Sequence, residues 1–304
     1  MKKRIREEIE ELVHLYVDGA FSRRDLFQRV AGVTGGAAAA TLALEALLPS
    51  HVSAQEVASC PEDVRVPEDA QDLEMQIVEF PGEGGRLIAY QAIRRSEDPQ
   101  PAVLVLHENR GLNSHILDVT RRVARAGYVA LGIDLLSRLG GTAQYSDPAA
   151  ASAALRNVTA AQQLEDMKSS LEYLKQQSFV RANRLGCVGF CMGGGNSFTL
   201  AVNSEDIAAA VVYYGTPPAA DQLQRLRAPL LGIFAELDRG INGRLPALLT
   251  ALTEQRKTYA MHIYEGVGHA FHNDTGAAYN RTASCDAWSK TLEFFGRHLR
   301  KADE

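Results

Sequence analysis

Short, wholly apolar runs alternate with longer segments of helical periodicity, and this alternation limits the fold more than any other feature of the chain. Ala102-Val103-Leu104-Val105-Leu106 is apolar at every position, the pattern of a strand buried on both faces, and a loop containing Gly111 leads from it to a helical segment at 116–125. Similar units follow: 128–133 with helices between 148 and 177, 184–190 with a helix after Cys191, and 207–214 with 223–227. The last two are 230–234 with 245–255, and 258–264 with a final helix at 284–300. Ahead of them, 73–80 and 86–93 read as an antiparallel pair about the turn Pro81-Gly82-Glu83-Gly84-Gly85. Strands alternating with helices predict an α/β fold, a mainly parallel sheet with helices on both faces. In such sheets ligands sit beyond the carboxyl ends of the strands, so the chemistry is sought there.

Composition narrows the partners. Among 304 residues, 37 Asp and Glu outnumber 32 Lys and Arg, a net charge of −5 that offers no basic face to nucleic acid. Four cysteines are too few for a disulfide scaffold, and no C-x-x-C pair suggests a zinc ribbon.

The first segment reads as an address. Ile9, Leu12, Val13, Tyr16 and Val17 share one helical face, and Ser22-Arg23-Arg24-Asp25-Leu26-Phe27 follows. A small-residue stretch at 30–48 and then Val52-Ser53-Ala54 complete an order that resembles a twin-arginine export signal. The resemblance implies passage through the twin-arginine export machinery, cleavage after Ala54, and a periplasmic or otherwise exported protein. An uncleaved signal acting as a membrane anchor is the alternative, although Thr34, Gly35, Gly36 and Glu45 lower the apolarity of the stretch. The organisation expected is therefore a signal at 1–54, a Pro- and acid-rich strap at 55–72, and one domain at 73–304.

Gly189-Phe190-Cys191-Met192-Gly193-Gly194 lies directly between an apolar strand and a helix. It has the shape of the G-x-S-x-G nucleophile elbow of α/β-hydrolases, with Cys in place of Ser. Glycines are needed where the turn brings backbones together, and a helix N-terminus aimed at the sulfur favours the thiolate. The acid and base of such a fold follow the nucleophile in that order. Asp238 comes four residues after the run ending at Phe234, and His269 follows a later strand in Gly266-Val267-Gly268-His269. Glu236 and His272 compete for the same roles, while His107, His115, His262 and His298 are less well placed. A Cys₂His₂ metal site of Cys187, Cys191, His269 and His272 is the rival reading, disfavoured because Cys187 lies inside a strand. In this fold the backbone N–H groups of Asn109 and Met192 would form the oxyanion hole.

The His107-Glu108-Asn109-Arg110-Gly111 strand end, the G-x-C-x-G-G elbow, the late Asp and the Gly268-His269-Ala270-Phe271 segment together resemble the dienelactone hydrolase family from about residue 73 onward. The resemblance implies an α/β-hydrolase fold, a triad of Cys191, His269 and Asp238, and a resting-state role for Glu108 in holding the thiol. Family members that cleave dienelactone carry an Arg four residues after the triad His, and this chain has Asn273 there. Arg110 and Arg138 are the candidates to replace it.

The expected function is a cysteine-dependent hydrolase of small esters or lactones that works through an acyl-enzyme, with no cofactor and no metal. The alternatives are a broad carboxylesterase or acyltransferase with the same triad, and a thiol redox protein in which Cys191 is oxidised through Cys187. Natural substrate and oligomeric state stay open. Export would place the domain where disulfides persist, so Cys60 and Cys285 are expected to pair.

Overall fold

The computed structural model describes residues 23–36 and 65–300, with the isolated positions Ile5 and Ile9. The helix α1 (Arg23–Thr34) begins at the paired arginines; the rest of the expected signal, its cut after Ala54, and Cys60 lie outside the described residues. No described helix is long and apolar enough to cross a membrane.

Eight strands form one sheet in the order β1-β2-β4-β3-β5-β6-β7-β8. They are β1 (Leu73–Gly82), β2 (Gly85–Arg94), β3 (Gln100–Leu106), β4 (Val129–Ile133), β5 (Val180–Phe190), β6 (Ile207–Tyr213), β7 (Leu230–Ala235) and β8 (Tyr259–Tyr264). Only β2 runs against its neighbours; every pair from β4 to β8 is parallel. The hairpin turn is tighter than expected. Pro81 and Gly82 continue β1, which tolerates proline because it is an edge strand, and Gly85 takes the left-handed φ of +132° that closes the turn.

The helices are α2 (Ser114–Arg125), α3 (Pro148–Leu155), α4 (Ala160–Lys175), α5 (Met192–Asn203), the single turn α6 (Arg239–Asn242), α7 (Leu245–Glu254) and α8 (Arg281–Leu299). Side chains alternate across each strand, so the apolar runs supply both faces: Leu104 and Leu106 join one core cluster, Val103 and Val105 the other. The first cluster is closed by α3, α4, α5 and α7 through Leu155, Leu171, Phe198 and Leu248. The second is closed by α2 and α8 through Ile116, Val119, Trp288 and Phe295, with Val66 and Ala70 of the strap. Local signals set the helix starts. Asn113 accepts from the Ile116 N–H at the head of α2, Thr159 and Gln162 form a reciprocal capping box on α4, and Asn280 caps α8 three residues earlier than periodicity suggested. The expected helix at 223–227 is one 3₁₀ turn at Gln222–Arg225.

Strand order reverses between β3 and β5, where the chain goes to β4 on one side and to β6 on the other. Leu106 pairs with Gly189 there, so the loops leaving β3 and β5 emerge side by side. That crevice is where an open α/β sheet receives its ligands.

Candidate active site

Cys191 links β5 to α5 with φ 56° and ψ −115°, a left-handed conformation costly for any residue with a Cβ. The glycines around it show why the turn can exist. A Cβ on Gly189 would lie 1.8 Å from the Gly193 carbonyl oxygen, and one on Gly193 would lie 2.2 Å from the Leu106 oxygen. One on Gly215 would meet the Gly194 carbonyl carbon at 2.2 Å. The elbow is thus pressed between the ends of β3 and β6, and the Cys191 N–H donates to the Tyr213 carbonyl at 3.0 Å. Met192 is the first residue of α5, and the Gly194 N–H donates to the Cys191 carbonyl at 3.0 Å to start the helix.

His269 and Asp238 arrive from the loops after β8 and β7. The His269 Nδ1 lies 2.5 Å from the Asp238 Oδ2, while the other Asp238 oxygen accepts from the Ile241 N–H and caps α6. The Asp238 carboxylate first, and then the Cys191 thiol, hold a proton on the imidazole, which raises its pKa to about 10. Asp238 and His269 therefore form a carboxylate–imidazole pair, and the Cys191 thiol adds to the rise in the ring's pKa.

The competing residues are elsewhere. Glu236 accepts from the Gly266 N–H and ties the two loops together. His272 is wholly buried, with neither ring nitrogen hydrogen-bonded, and lies against Phe190, Tyr213 and Trp288. Burial first, and then the neighbouring His115 and the charge of Arg122, hold its pKa well below the ordinary histidine value. His107 is a brace: its Nε2 accepts from the Leu135 N–H at 3.0 Å, so Nδ1 donates to the Glu108 carbonyl at 2.6 Å. His298 packs on Phe294, and His262 belongs to β8. Cys187 faces the first core cluster and hydrogen-bonds Ser197 Oγ at 3.1 Å, with burial pushing its pKa up to about 12. Cys191 packs against the second cluster, so the two sulfurs belong to opposite sides of the sheet. No group of three metal-ligating side chains occurs among the described residues, and the Cys187, Cys191, His269 and His272 set is not assembled.

Asn109 and Arg110 are exposed on the loop after β3, and Glu108 is buried. Glu108 Oε2 accepts from Asn273 Nδ2 at 2.8 Å, and its Oε1 is buried without a partner. Arg138 is not a candidate carboxylate binder: Asp166 of α4 takes its guanidinium through both carboxylate oxygens, at 2.7–3.1 Å. That pairing fills the fork a substrate would need. Cys285 is disulfide-bonded and Cys187 and Cys191 are free; Cys60, its expected partner, lies outside the described residues.

Sequence reasoning passed over Tyr214. It follows β6 at φ 39°, its ring centroid lies 4.9 Å from that of His269, and its fully buried hydroxyl has no hydrogen-bond partner. Burial first, and then the neighbouring Glu108 and Cys191, hold the pKa of that phenol well above the ordinary tyrosine value. The only signal in the sequence is Tyr213-Tyr214-Gly215 at a strand end, which matches no motif.

A glycine-lined turn at the sheet's switch point, with Asp238 and His269 paired on the loops after later strands, is the architecture of an α/β-hydrolase. The comparisons sharpen this: the dienelactone hydrolase family model matches residues 87–299, and the chain belongs to that family. A protein of Saccharolobus solfataricus assigned as a carboxymethylenebutenolidase is 31% identical over 72% of this chain and 96% of its own length. A Bradyrhizobium protein assigned as a 2-oxo-3-(5-oxofuran-2-ylidene)propanoate lactonase is 32% identical over 75% of this chain and 96% of its own. Among solved structures, a protein from Klebsiella pneumoniae assigned as a dienelactone hydrolase superposes with a TM-score of 0.69 at 28% identity, covering 74% of this chain and 99% of that one.

Proposed function

We infer that the protein is a cysteine-dependent hydrolase of small esters or lactones. The observation that carries this reading is the imidazole of His269, held by the Asp238 carboxylate at 2.5 Å and with its pKa raised to about 10 by Asp238 and Cys191. With Asp238 behind it, His269 is the base that takes the thiol proton as Cys191 attacks. The thiolate adds to the carbonyl carbon, and charge on the carbonyl oxygen is received by the Met192 and Asn109 N–H groups. As the C–O bond breaks, the imidazolium gives its proton to the departing alkoxide. Water, deprotonated by the now neutral His269, then attacks the thioester and restores Cys191. Asp238 keeps the imidazole in the tautomer with Nε2 toward sulfur. The resemblance gives Glu108 a role in the resting state, holding the thiol until substrate binds.

The relatives assigned as carboxymethylenebutenolidase and as a lactonase support ester and lactone substrates. An acyltransferase with the same triad differs only in the second acceptor. The redox reading through Cys187 is disfavoured by the opposite facing of the two thiols. Turnover of p-nitrophenyl acetate by the purified protein, lost in Cys191→Ala, tests the proposal; turnover that survives in the variant rejects the nucleophile. The export reading of residues 1–54 is part of the same proposal, and N-terminal sequencing of exported protein should begin at Gln55. Recovery with Met1 intact would reject cleavage.

A further inference from the structure

The loop that leaves β3 is fastened at both ends by one neighbour, the segment that follows β4. At the near end the His107 Nε2 accepts from the Leu135 N–H at 3.0 Å, and at the far end the Leu112 N–H donates to the Thr142 hydroxyl oxygen at 2.9 Å. Between these two points lie the exposed residues Asn109 and Arg110. Gly111 lets the far fastening close, because it takes φ +77° and a Cβ there would lie 2.1 Å from Thr142 Oγ1.

Asp134, only 3% exposed at the end of β4, holds the fastening segment in shape. Its Oδ2 accepts from the Thr142 N–H at 2.6 Å, and its Oδ1 accepts from the Thr142 hydroxyl at 2.9 Å and the Leu136 N–H at 3.0 Å. The one hydroxyl proton of Thr142 is thereby spent on Asp134, which leaves an oxygen lone pair for Leu112. Asp134 itself is anchored in the sheet, since its N–H donates to the Ile88 carbonyl of β2 at 2.9 Å.

The fastened loop runs past the elbow. A Cβ on Gly193 would come within 2.2 Å of the Leu106 oxygen and 2.6 Å of the His107 oxygen, so the start of the loop rests on the residue next to Met192. Among the described residues the Asn109 N–H donates to no acceptor. A donor that meets its charge only in the transition state works by being aimed beforehand, and slack in its support is lost rate.

Resting on the reading of Cys191 as nucleophile with the Asn109 and Met192 N–H groups receiving the oxyanion, we propose that Asp134 and Thr142 are positioning residues for the reaction. The Asp134 carboxylate orients the Thr142 hydroxyl, the hydroxyl holds Leu112, and the loop so held aims the Asn109 N–H at the oxygen on which charge develops.

Thr142→Val keeps the side-chain shape and removes both hydrogen bonds of the hydroxyl. On p-nitrophenyl acetate its kcat should fall by about tenfold or more, a share of the roughly 10²–10³ that a whole oxyanion donor supplies, with KM changed by about twofold or less. Acylation and deacylation charge the same oxygen, so either limiting step reads the loss. Thr142→Ser, which keeps the hydroxyl, should recover most of it. Asp134→Asn sets an amide N–H against the Thr142 donors and should show the same loss in kcat, which keeps the test open if Thr142→Val fails to fold. Alkylation of Cys191 by iodoacetamide, a displacement at saturated carbon that builds no oxyanion, should keep its wild-type rate in every variant. An unchanged kcat in folded Thr142→Val, a loss that Thr142→Ser does not recover, or an equal loss in alkylation overturns the proposal. If the unchanged kcat stands beside an inactive Cys191→Ala, the positioning role alone is rejected. Turnover absent from the wild type, or surviving in Cys191→Ala, rejects the hydrolase reading and the positioning role together.

Discussion

Cys191 holds a backbone conformation that a side chain adopts at a cost of about 1–3 kcal/mol, and it does so because the glycines around it let β3, α5 and β6 close on the turn. Those glycines made the elbow legible, since each is demanded by backbone approach at a fixed chain spacing. On the proposed mechanism the elbow and His269 serve a thiol, which gives up its proton more readily than a hydroxyl does. Cys191→Ser is therefore expected to lose about 10²-fold in kcat/KM, or about 2.7 kcal/mol at the transition state, measured on the same ester. Tyr214 is the opposite case, with its strain and unpartnered hydroxyl visible only in three dimensions. Tyr214→Phe keeps the ring and removes a buried polar atom that has no partner, so the thermal midpoint should stay level or rise. The Glu108–Asn273 bond was likewise illegible, because 165 residues separate its members and neither type signals the other. Arg138 was misread for the same reason: its partner Asp166 is 28 residues away on another element. His269 also has a pH signature. Its folded pKa of about 10 lies above the ordinary 6.5, so its contribution to stability is complete below about 6.5 and is lost as pH rises through 10. The midpoints of wild type and His269→Gln should differ most near pH 6 and converge by about pH 10.

At the scale of elements, the strands were the most legible because burial on both faces leaves an unbroken apolar run. The first residues of β5 escaped because Arg181, Ala182 and Asn183 are polar or small and largely outside the core. Helix α2 carries a different lesson. Its buried face includes Asp118, Arg121 and Arg122 beside Ile116, Val119 and Val123, a mixture that periodicity alone does not explain. Asp274, in the loop beyond His269, supplies the reason: its carboxylate takes Arg122 at 2.7 Å, Arg65 at 2.8 Å and His115 at 3.2 Å. Asp118 accepts from the Val66 N–H, and Arg121 donates to the Val66 carbonyl, so the strap is fastened to α2 and to that loop at once. Burial opposes ionisation of Asp274, but hydrogen bonds from His115 and Arg65 and the charge of Arg122 outweigh it and hold the carboxyl below the usual range. Its stabilisation is thus present above about pH 4 and is lost as pH falls through the lowered value. In urea titrations at neutral pH, Asp274→Asn is expected to cost about 3 kcal/mol, as for a broken buried ion pair. Glu74→Gln, which breaks the exposed pair with Arg95, should change stability by about 0.5 kcal/mol or less. Equal effects would show that the Asp274 cluster stabilises no more than a surface contact does.

The described residues form one sheet with helices on its two faces, and Val66 and Ala70 of the strap lie on the α2 and α8 side. The disulfide at Cys285 belongs to this scale. With Cys60 as its partner it would close a loop of 225 residues by sequence number, a constraint on the unfolded chain of at most about 5 kcal/mol. Peptide mapping without reductant should recover Cys60 and Cys285 in one linked species, and separately alkylated peptides would reject the pairing. Strand order has a kinetic consequence as well. Glu108 follows β3 and Cys191 follows β5 at the centre of the sheet, Asp238 follows β7, and His269 follows β8 at its far edge. The centre can form while the imidazole is still undocked, because among the described residues β8 pairs with β7 alone. On refolding, far-ultraviolet dichroism should therefore recover ahead of esterase activity, and the lag between them times the arrival of the last strand.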